Sequence, residues 1–334
     1  MNSKKQYIFL YILLLFGLVA VFVTALSLGS VRFSVDELLA AWKNPNSTKG
    51  IILWGIRFPR VLAAALAGIA LASAGTILQC VTDNELAAPN IIGINSGSGF
   101  GVMLILCLAP NFWRFVPLAA FAGALIATFL VMSLSFVGGG RTKGSTIVLS
   151  GVALSSILSA GISYLSLRYP DVLSSYTAFS VGGFAGLSIE DLILPSIMIF
   201  ISLIFSQIIS PQLNSLCLGD EIAASLGVMV KPLRIISLIL SACLCAAAVS
   251  FAGLLGFVGL IVPHIIKRIA GSDIRFNLSL SALFGASLVM LSDMFGRIIF
   301  APSELPAGII MSLLGAPFFL YLLLKRRLSY GEMQ

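Results

Sequence analysis

Apolar residues run in long unbroken blocks along this chain, and short polar stretches separate them. Blocks of spanning length cover about 7–28, 58–80, 91–109, 115–137, 145–167, 191–210, 233–252, 254–270, 277–300 and 305–324. Each is near the ~17–25 residues that a helix needs to cross a bilayer. The pattern predicts an all-α polytopic membrane protein of ten transmembrane helices. The boundary between the seventh and eighth blocks is the softest, because Gly253, Gly256 and Gly259 sit in one continuous apolar stretch. No soluble domain fits, so residues 1–334 read as a single transmembrane domain. The longest connections, 29–57 and 168–190, read as loops with one short helix each.

One polar interruption stands out at 218–228. Asp220 and Glu221 are good first-turn residues for a short helix. Ala223, Ala224, Ser225 and Leu226 continue it, and Gly219 and Gly227 frame it, Gly227 as a natural C-terminal stop. Its Ile222, Leu226 and Val228 would face water unless something covers them. A short surface helix is the simpler reading; a helix that docks on a soluble partner is the other.

Composition supports the membrane assignment. Of 334 residues, 59% are hydrophobic and 10% charged, against roughly a quarter charged in soluble proteins. The net charge of +7 needs no nucleic acid, since cytoplasmic loops collect Lys and Arg. The block at 7–28 exceeds the ~7–15 residues of a signal-peptide core, so it reads as a retained first helix starting in the cytoplasm. Ten crossings return the C-terminus to the same side. Twelve Lys and Arg then fall inside and eight outside. Five of the eight, Arg32, Lys43, Lys49, Arg57 and Arg60, lie between the first two spans. That local excess runs against the positive-inside trend and asks for its own reason.

Catalytic chemistry is not visible. The single histidine, His264, follows Pro263 inside an apolar block and reads as a packed residue bonded to a freed carbonyl. Neither a nucleophile–base pair nor a metal-ligand spacing stands out. The five cysteines, Cys80, Cys107, Cys217, Cys243 and Cys245, read as small apolar residues. The glycine-rich 138–145 stretch has Lys143 before its glycine, which is not a phosphate loop, and reads as a cytoplasmic turn. Asp293 is the one clear intramembrane carboxylate. Arg297, one turn on, reads as its local ion-pair partner.

Other patterns concern packing and a path. Gly93, Gly97 and Gly101 follow the small-xxx-small rule for close helix approach. Ser155, Ser159, Ser163 and Ser166 form a polar stripe. The stripe either satisfies itself against its own backbone or lines a water-filled path. Gly308, Ser312 and Gly315 make a similar small face. Arg57, Arg60 and Arg297 stand at outer helix ends. Snorkelling to lipid is the simple reading; together they suggest a receptor for carboxylates on a soluble partner. Arg60 and Arg234 each lead into a small-residue run, a weak hint of an inverted repeat.

Taken in order, several motifs resemble the FecCD-type permeases, the membrane subunits of ATP-binding-cassette importers for iron-siderophores, haem and vitamin B12. They are Arg57-Phe58-Pro59-Arg60-Val61-Leu62, Ala72-Ser73-Ala74-Gly75, Asn84-Glu85-Leu86-Ala87-Ala88-Pro89, Ala224-Ser225-Leu226-Gly227, 256–264, Glu304-Leu305-Pro306-Ala307-Gly308 and Gly315-Ala316-Pro317-Phe318. The resemblance implies a fold like that of the vitamin B12 importer permease, in a bacterial cytoplasmic membrane. It implies a dimer with a second copy or paralogue around a central path. It also implies a separate cytoplasmic ATPase, which holds the ATP and Mg, and an extracellular or periplasmic binding protein. The chain itself would bind no cofactor and no nucleic acid. The 219–227 helix would dock in the ATPase, Arg57, Arg60 and Arg297 would face glutamates on the binding protein, and a segment at about 170–186 would gate the path. Two departures stand out: Glu85 where the family has Pro, and Phe179 where it has Trp.

The resemblance favours an iron-siderophore complex as cargo, with haem or vitamin B12 as alternatives. A path of Ser, Gly and Met without an acidic cluster would not select bare Fe³⁺, which wants oxygen ligands. The rival from another class is an ion-coupled secondary transporter using Asp293.

Overall fold

The computed structural model describes residues 3–29, 32–90, 93–136, 144–299, 301 and 303–331. The glycine-rich turn at 138–143 lies outside them. In chain order the helices are α1 (Ser3–Ser27), α2 (Val35–Lys43), α3 (Thr48–Ile52), α4 (Phe58–Val81), α5 (Ile94–Leu108), α6 (Val116–Phe136), α7 (Gly144–Arg168), α8 (Leu173–Val181), α9 (Ile189–Leu216), α10 (Asp220–Ser225), α11 (Val230–Ala252), α12 (Val258–Ala270), α13 (Ile274–Ile299) and α14 (Ala307–Gly331).

Every predicted apolar block falls on a helix. Among the described residues, seven helices are long and apolar enough to span alone. The blocks at 91–109, 254–270 and 305–324 fall on α5, α12 and α14, and α12 has only 13 residues. It is short because the chain leaves helical geometry just before it. Gly253 and Phe257 take φ of 70° and 66°, the left-handed region that side chains avoid. The break that the sequence blurred is therefore sharp.

The 29–57 connection is more ordered than expected. It holds two short helices, not one. Ser34 and Glu37 close α2 with a capping box, which satisfies two of the donors a helix N-terminus leaves open. Trp42, Trp54 and Phe58 then stack on one another, with ring centroids 4.4–6.0 Å apart. A π turn at Leu53–Arg57 leads straight into α4. The 168–190 connection holds α8 after a short 3₁₀ turn.

α4 is the centre of the bundle, buried along nearly its whole length against α11, α12 and α13. Small residues allow this. A methyl group on Gly68 would sit 2.2 Å from the Gly285 carbonyl, and one on Gly75 would sit 2.0 Å from that of Gly259. The predicted glycine ridge of α5 works the same way. Gly97 and Gly101 receive Gly123 and Ala119 of α6, a close approach that only small residues permit. The outer faces of α1, α6, α7 and α9 carry exposed Phe16, Phe129, Leu149 and Phe200. An apolar exterior of this extent suits lipid, not water.

The reading of the cysteines needs correction. Cys107, Cys243 and Cys245 are free, but Cys80 and Cys217 are joined by a disulfide across 137 residues. The bond ties the last turn of α4 to the end of α9. His264 packs its ring edge-on against Phe318, with centroids 5.8 Å apart.

Candidate functional site

Three regions carry the predicted functional residues: the loop-side helix α10, the arginines at the opposite end of α4, and the wall between them.

α10 forms for the reasons its sequence advertises. Gly219, at φ 107°, turns the chain into it, and Asp220 and Glu221 lie in its first turn. Gly227, at φ 81°, ends it. Val228 N–H donates to the Ala223 carbonyl and Gly227 N–H to that of Ala224, each at 3.0 Å. This is the paired-bond Schellman ending that a left-handed glycine allows. Ala223 is fully buried against the bundle, while Ile222 is 49% and Leu226 63% exposed. Sequence reasoning did not foresee how the helix is held. Arg234, buried at the start of α11, donates to Asp220 through both terminal nitrogens, Nη2 to Oδ1 at 2.8 Å and Nη1 to Oδ2 at 3.3 Å. This planar two-point grip fixes direction as well as position.

At the opposite end the arginines are not laid out on a surface, contrary to the simplest picture of a docking receptor. Arg57, Arg60 and Arg297 are 4%, 7% and 3% exposed, and Asp293 is 1% exposed. Arg60 Nε lies 3.0 Å from both oxygens of Asp293, and its Nη1 reaches Glu304. Arg297 Nε stands 3.1 Å from Asp293 Oδ2. The predicted Asp293–Arg297 pair is therefore part of a larger cluster, with one carboxylate between two guanidinium groups. Burying like charges this close is tolerable only with such a counterion. Arg57 and Arg297 also aim at the end of α1. Arg57 donates to the carbonyls of Leu26 and Ser27, at 2.8 and 3.1 Å. Arg297 donates to those of Leu28 and Ala25, at 3.1 and 3.0 Å. The last carbonyls of a helix lack intrahelical partners, and cations suit its negative end; the Ser27 carbonyl also accepts from the Phe33 N–H at 3.0 Å. Of the five cations between the first two predicted spans, Arg57 therefore caps α1, Arg60 pairs with Asp293 and Lys49 pairs with Glu37. Glu304, at the exposed rim of the cluster, went unremarked in that role because its partner lies 244 positions away.

The presumed path is less uniform than its sequence pattern. Ser163 and Ser166 of α7 return their hydroxyls to their own helix, at the carbonyls of Ser159 and Ile162. This is the self-satisfied option. Ser159 is exposed. Ser155 differs: its hydroxyl oxygen is enclosed and makes no hydrogen bond among the described residues. On α14, Ser312 is exposed and bonds back to the Gly308 carbonyl. Gly308 and Gly315 do not face open space. A methyl on Gly308 would meet the Val181 carbonyl at 1.8 Å, and one on Gly315 would meet the Phe257 ring at 2.1 Å.

That contact leads to α8, the predicted gate. Its C-terminal end is knitted by backbone bonds to two neighbours. Leu254 N–H donates to the Phe179 carbonyl and Gly183 N–H to that of Ala252. Gly308 N–H donates to the Gly182 carbonyl. The C-terminal end of α8 is therefore hydrogen-bonded to the break between α11 and α12 and to the start of α14. Backbone bonds of this kind do not depend on side-chain identity, so the Phe179 departure leaves the arrangement intact.

The sequence model of the FecCD transport family matches residues 17–325. The chain is 34% identical over 328 residues to the Fe(3+)-citrate import system permease protein YfmE of Bacillus subtilis, covering 96% of each. It is 35% identical over 323 residues to the hemin transport system permease protein HmuU of Yersinia pestis, covering 94% of this chain and 96% of that one. A solved metal-chelate type ABC transporter in an inward-facing conformation matches with a TM-score of 0.80 and 30% identity, over 97% of this chain and 100% of the other.

Proposed function

The chain belongs to the FecCD transport family and is a permease of an ABC importer in the bacterial cytoplasmic membrane, and from that premise we propose that its cargo is an iron-siderophore complex. The relatives named above carry iron as citrate or haem, always in chelated form. The exposed face of α7 and α14 offers hydroxyls and apolar side chains and no acidic cluster. Such a face suits a bulky, largely neutral chelate and not a bare hard cation.

In this reading ten helices cross the membrane with both termini in the cytoplasm, and two permease chains enclose the path. Residues 219–227 engage a separate ATPase, which binds ATP and Mg and performs the hydrolysis. The observation that carries this is the exposed Ile222 and Leu226 face of a helix clamped from behind by Arg234. A rigid, apolar, outward-facing turn is what a coupling contact needs. A binding protein delivers cargo at the opposite end. The guanidinium groups of Arg57, Arg60 and Arg297 are engaged internally, so a docking carboxylate would compete with Glu304 at the rim of the cluster. Closure of the ATPases then moves α10, and the link from α8 to α11, α12 and α14 carries the movement to the gate.

The test is uptake of a ferric siderophore into vesicles that hold the permease, the ATPase and the binding protein. ATP-dependent uptake is expected. Uptake that persists without the ATPase would sink the reading and favour an ion-coupled carrier. ATP-dependent uptake of haem alone would leave the importer standing and replace its cargo.

A further inference from the structure

We propose that Cys80 and Cys217 form a reversible thiol–disulfide clamp that restrains the coupling helix. This rests on the reading of α10 as the ATPase-facing element. The bridge joins the final turn of α4, the buried centre of the bundle, to residue 217, immediately after α9 and three residues before Asp220. The first residue of the coupling helix, Asp220, is held to α11 by its pair with Arg234. With the bridge closed, the N-terminal root of α10 is tied to α4 through Cys217 and to α11 through Asp220. With it open, the end of α9 loses its covalent tie to α4, and α10 keeps the Asp220–Arg234 pair and the packing of Ala223.

The bridge is also reachable. Both cysteines are half-buried, and both line a cleft of about 560 Å³ with Gln79, Asp83, Glu85 and Lys267 on its walls. These polar walls admit water and small thiols. Buried structural disulfides are shielded from such reagents, whereas exchange requires access. In this reading the cleft opens toward the cytoplasm. Disulfides there are typically transient and redox-sensing.

The exchange balances without a metal or a cofactor. One cysteine thiolate attacks a low-molecular-weight disulfide such as glutathione disulfide and releases one thiol. The second thiolate attacks the resulting mixed disulfide and releases the other. The two cysteines lose two electrons and two protons, and the reagent gains them as two thiols.

The experiment uses the full permease with its ATPase and binding protein in proteoliposomes. Cys107, Cys243 and Cys245 are changed to Ala, so that only the pair can react. Maleimide labelling after dithiothreitol should find two thiols per chain, and after glutathione disulfide none. Uptake should fall at least about threefold on oxidation and recover on reduction, because a restrained conformational step limits the rate. Uptake by Cys80→Ser and by Cys217→Ser should each be unchanged by either reagent, although the remaining thiol can still form a mixed disulfide. Two reactive thiols under both conditions would overturn the clamp, as would bridge formation that leaves uptake unchanged. The importer reading would survive either result. Uptake independent of the ATPase would instead overturn the importer reading, and with it the clamp's role in coupling.

Discussion

Arg234 grips Asp220 with both arms of its guanidinium group, at 2.8 and 3.3 Å, and so ties α10 to the first turn of α11. The pair separates two properties of α10 that one variant alone would confuse. Asp220→Asn weakens the grip and leaves the exposed face unchanged. Leaving a buried cation underpaired costs roughly 1–3 kcal/mol, so the purified protein should melt at lower temperature and lose part of its uptake. Leu226→Asp leaves the grip intact and places a charge on a side chain that is 63% exposed. Its melting should match the wild type, while co-purification of the ATPase and uptake should both collapse. Gly227→Pro should also uncouple, since proline cannot adopt the φ of 81° found there. Wild-type uptake by Leu226→Asp or Gly227→Pro would remove the docking role of α10.

Asp293 lies between Arg60 and Arg297, and all three are buried. Asp293→Asn would leave two guanidinium groups facing each other with only Glu304 nearby. Breaking a buried pair in this way costs ~3–5 kcal/mol. A clear fall in thermal stability is therefore expected. Uptake per folded molecule, measured at low temperature, should stay ATP-dependent and insensitive to protonophores. Normal stability with abolished uptake would argue instead for a proton-coupling role.

Gly97 approaches Gly123 so closely that a β-carbon would lie 2.4 Å from the Gly123 carbonyl and from the Ala127 methyl. Gly97→Val must push α5 away from α6, and overpacking of this kind costs about 1–3 kcal/mol or more. The variant should accumulate poorly in the membrane and be more readily cleaved by protease. Ser96→Val, one position away, should be tolerated if the ridge is the cause. Equal loss in both would mean that the position does not pack as described.

Much of the site was legible because its signals are local. The acids, alanines and glycine of 218–228 specify a short helix within one turn of each other, and the structure ends it at the expected glycine. The glycine ridge of α5 was legible for the same reason. The partners were not. Arg60 and Asp293 are 233 positions apart, and Cys80 and Cys217 are 137 apart. Nothing in the surroundings of either cysteine marks it as bonded, so all five cysteines looked alike. Gly308 and Gly315 looked like a path wall because small residues serve equally for an open surface and for close contact. Only the neighbouring Val181 carbonyl and Phe257 ring distinguish the two.

What the sequence determined by itself was the solvent and the inventory: an apolar chain that must live in lipid, helices in every long block, and one short polar helix at 218–228. Those follow from transfer free energy and hydrogen-bond geometry, which act along a few neighbouring residues. The tertiary structure decided where the charges went. Three arginines that composition alone left pointing outward are turned inward, Arg60 and Arg297 on Asp293 and Arg57 and Arg297 on the end of α1, because a buried guanidinium needs a counterion or carbonyl acceptors. The cysteine bridge and the seating of α8 were decided in the same way, by contacts between segments that become neighbours only once the bundle has closed.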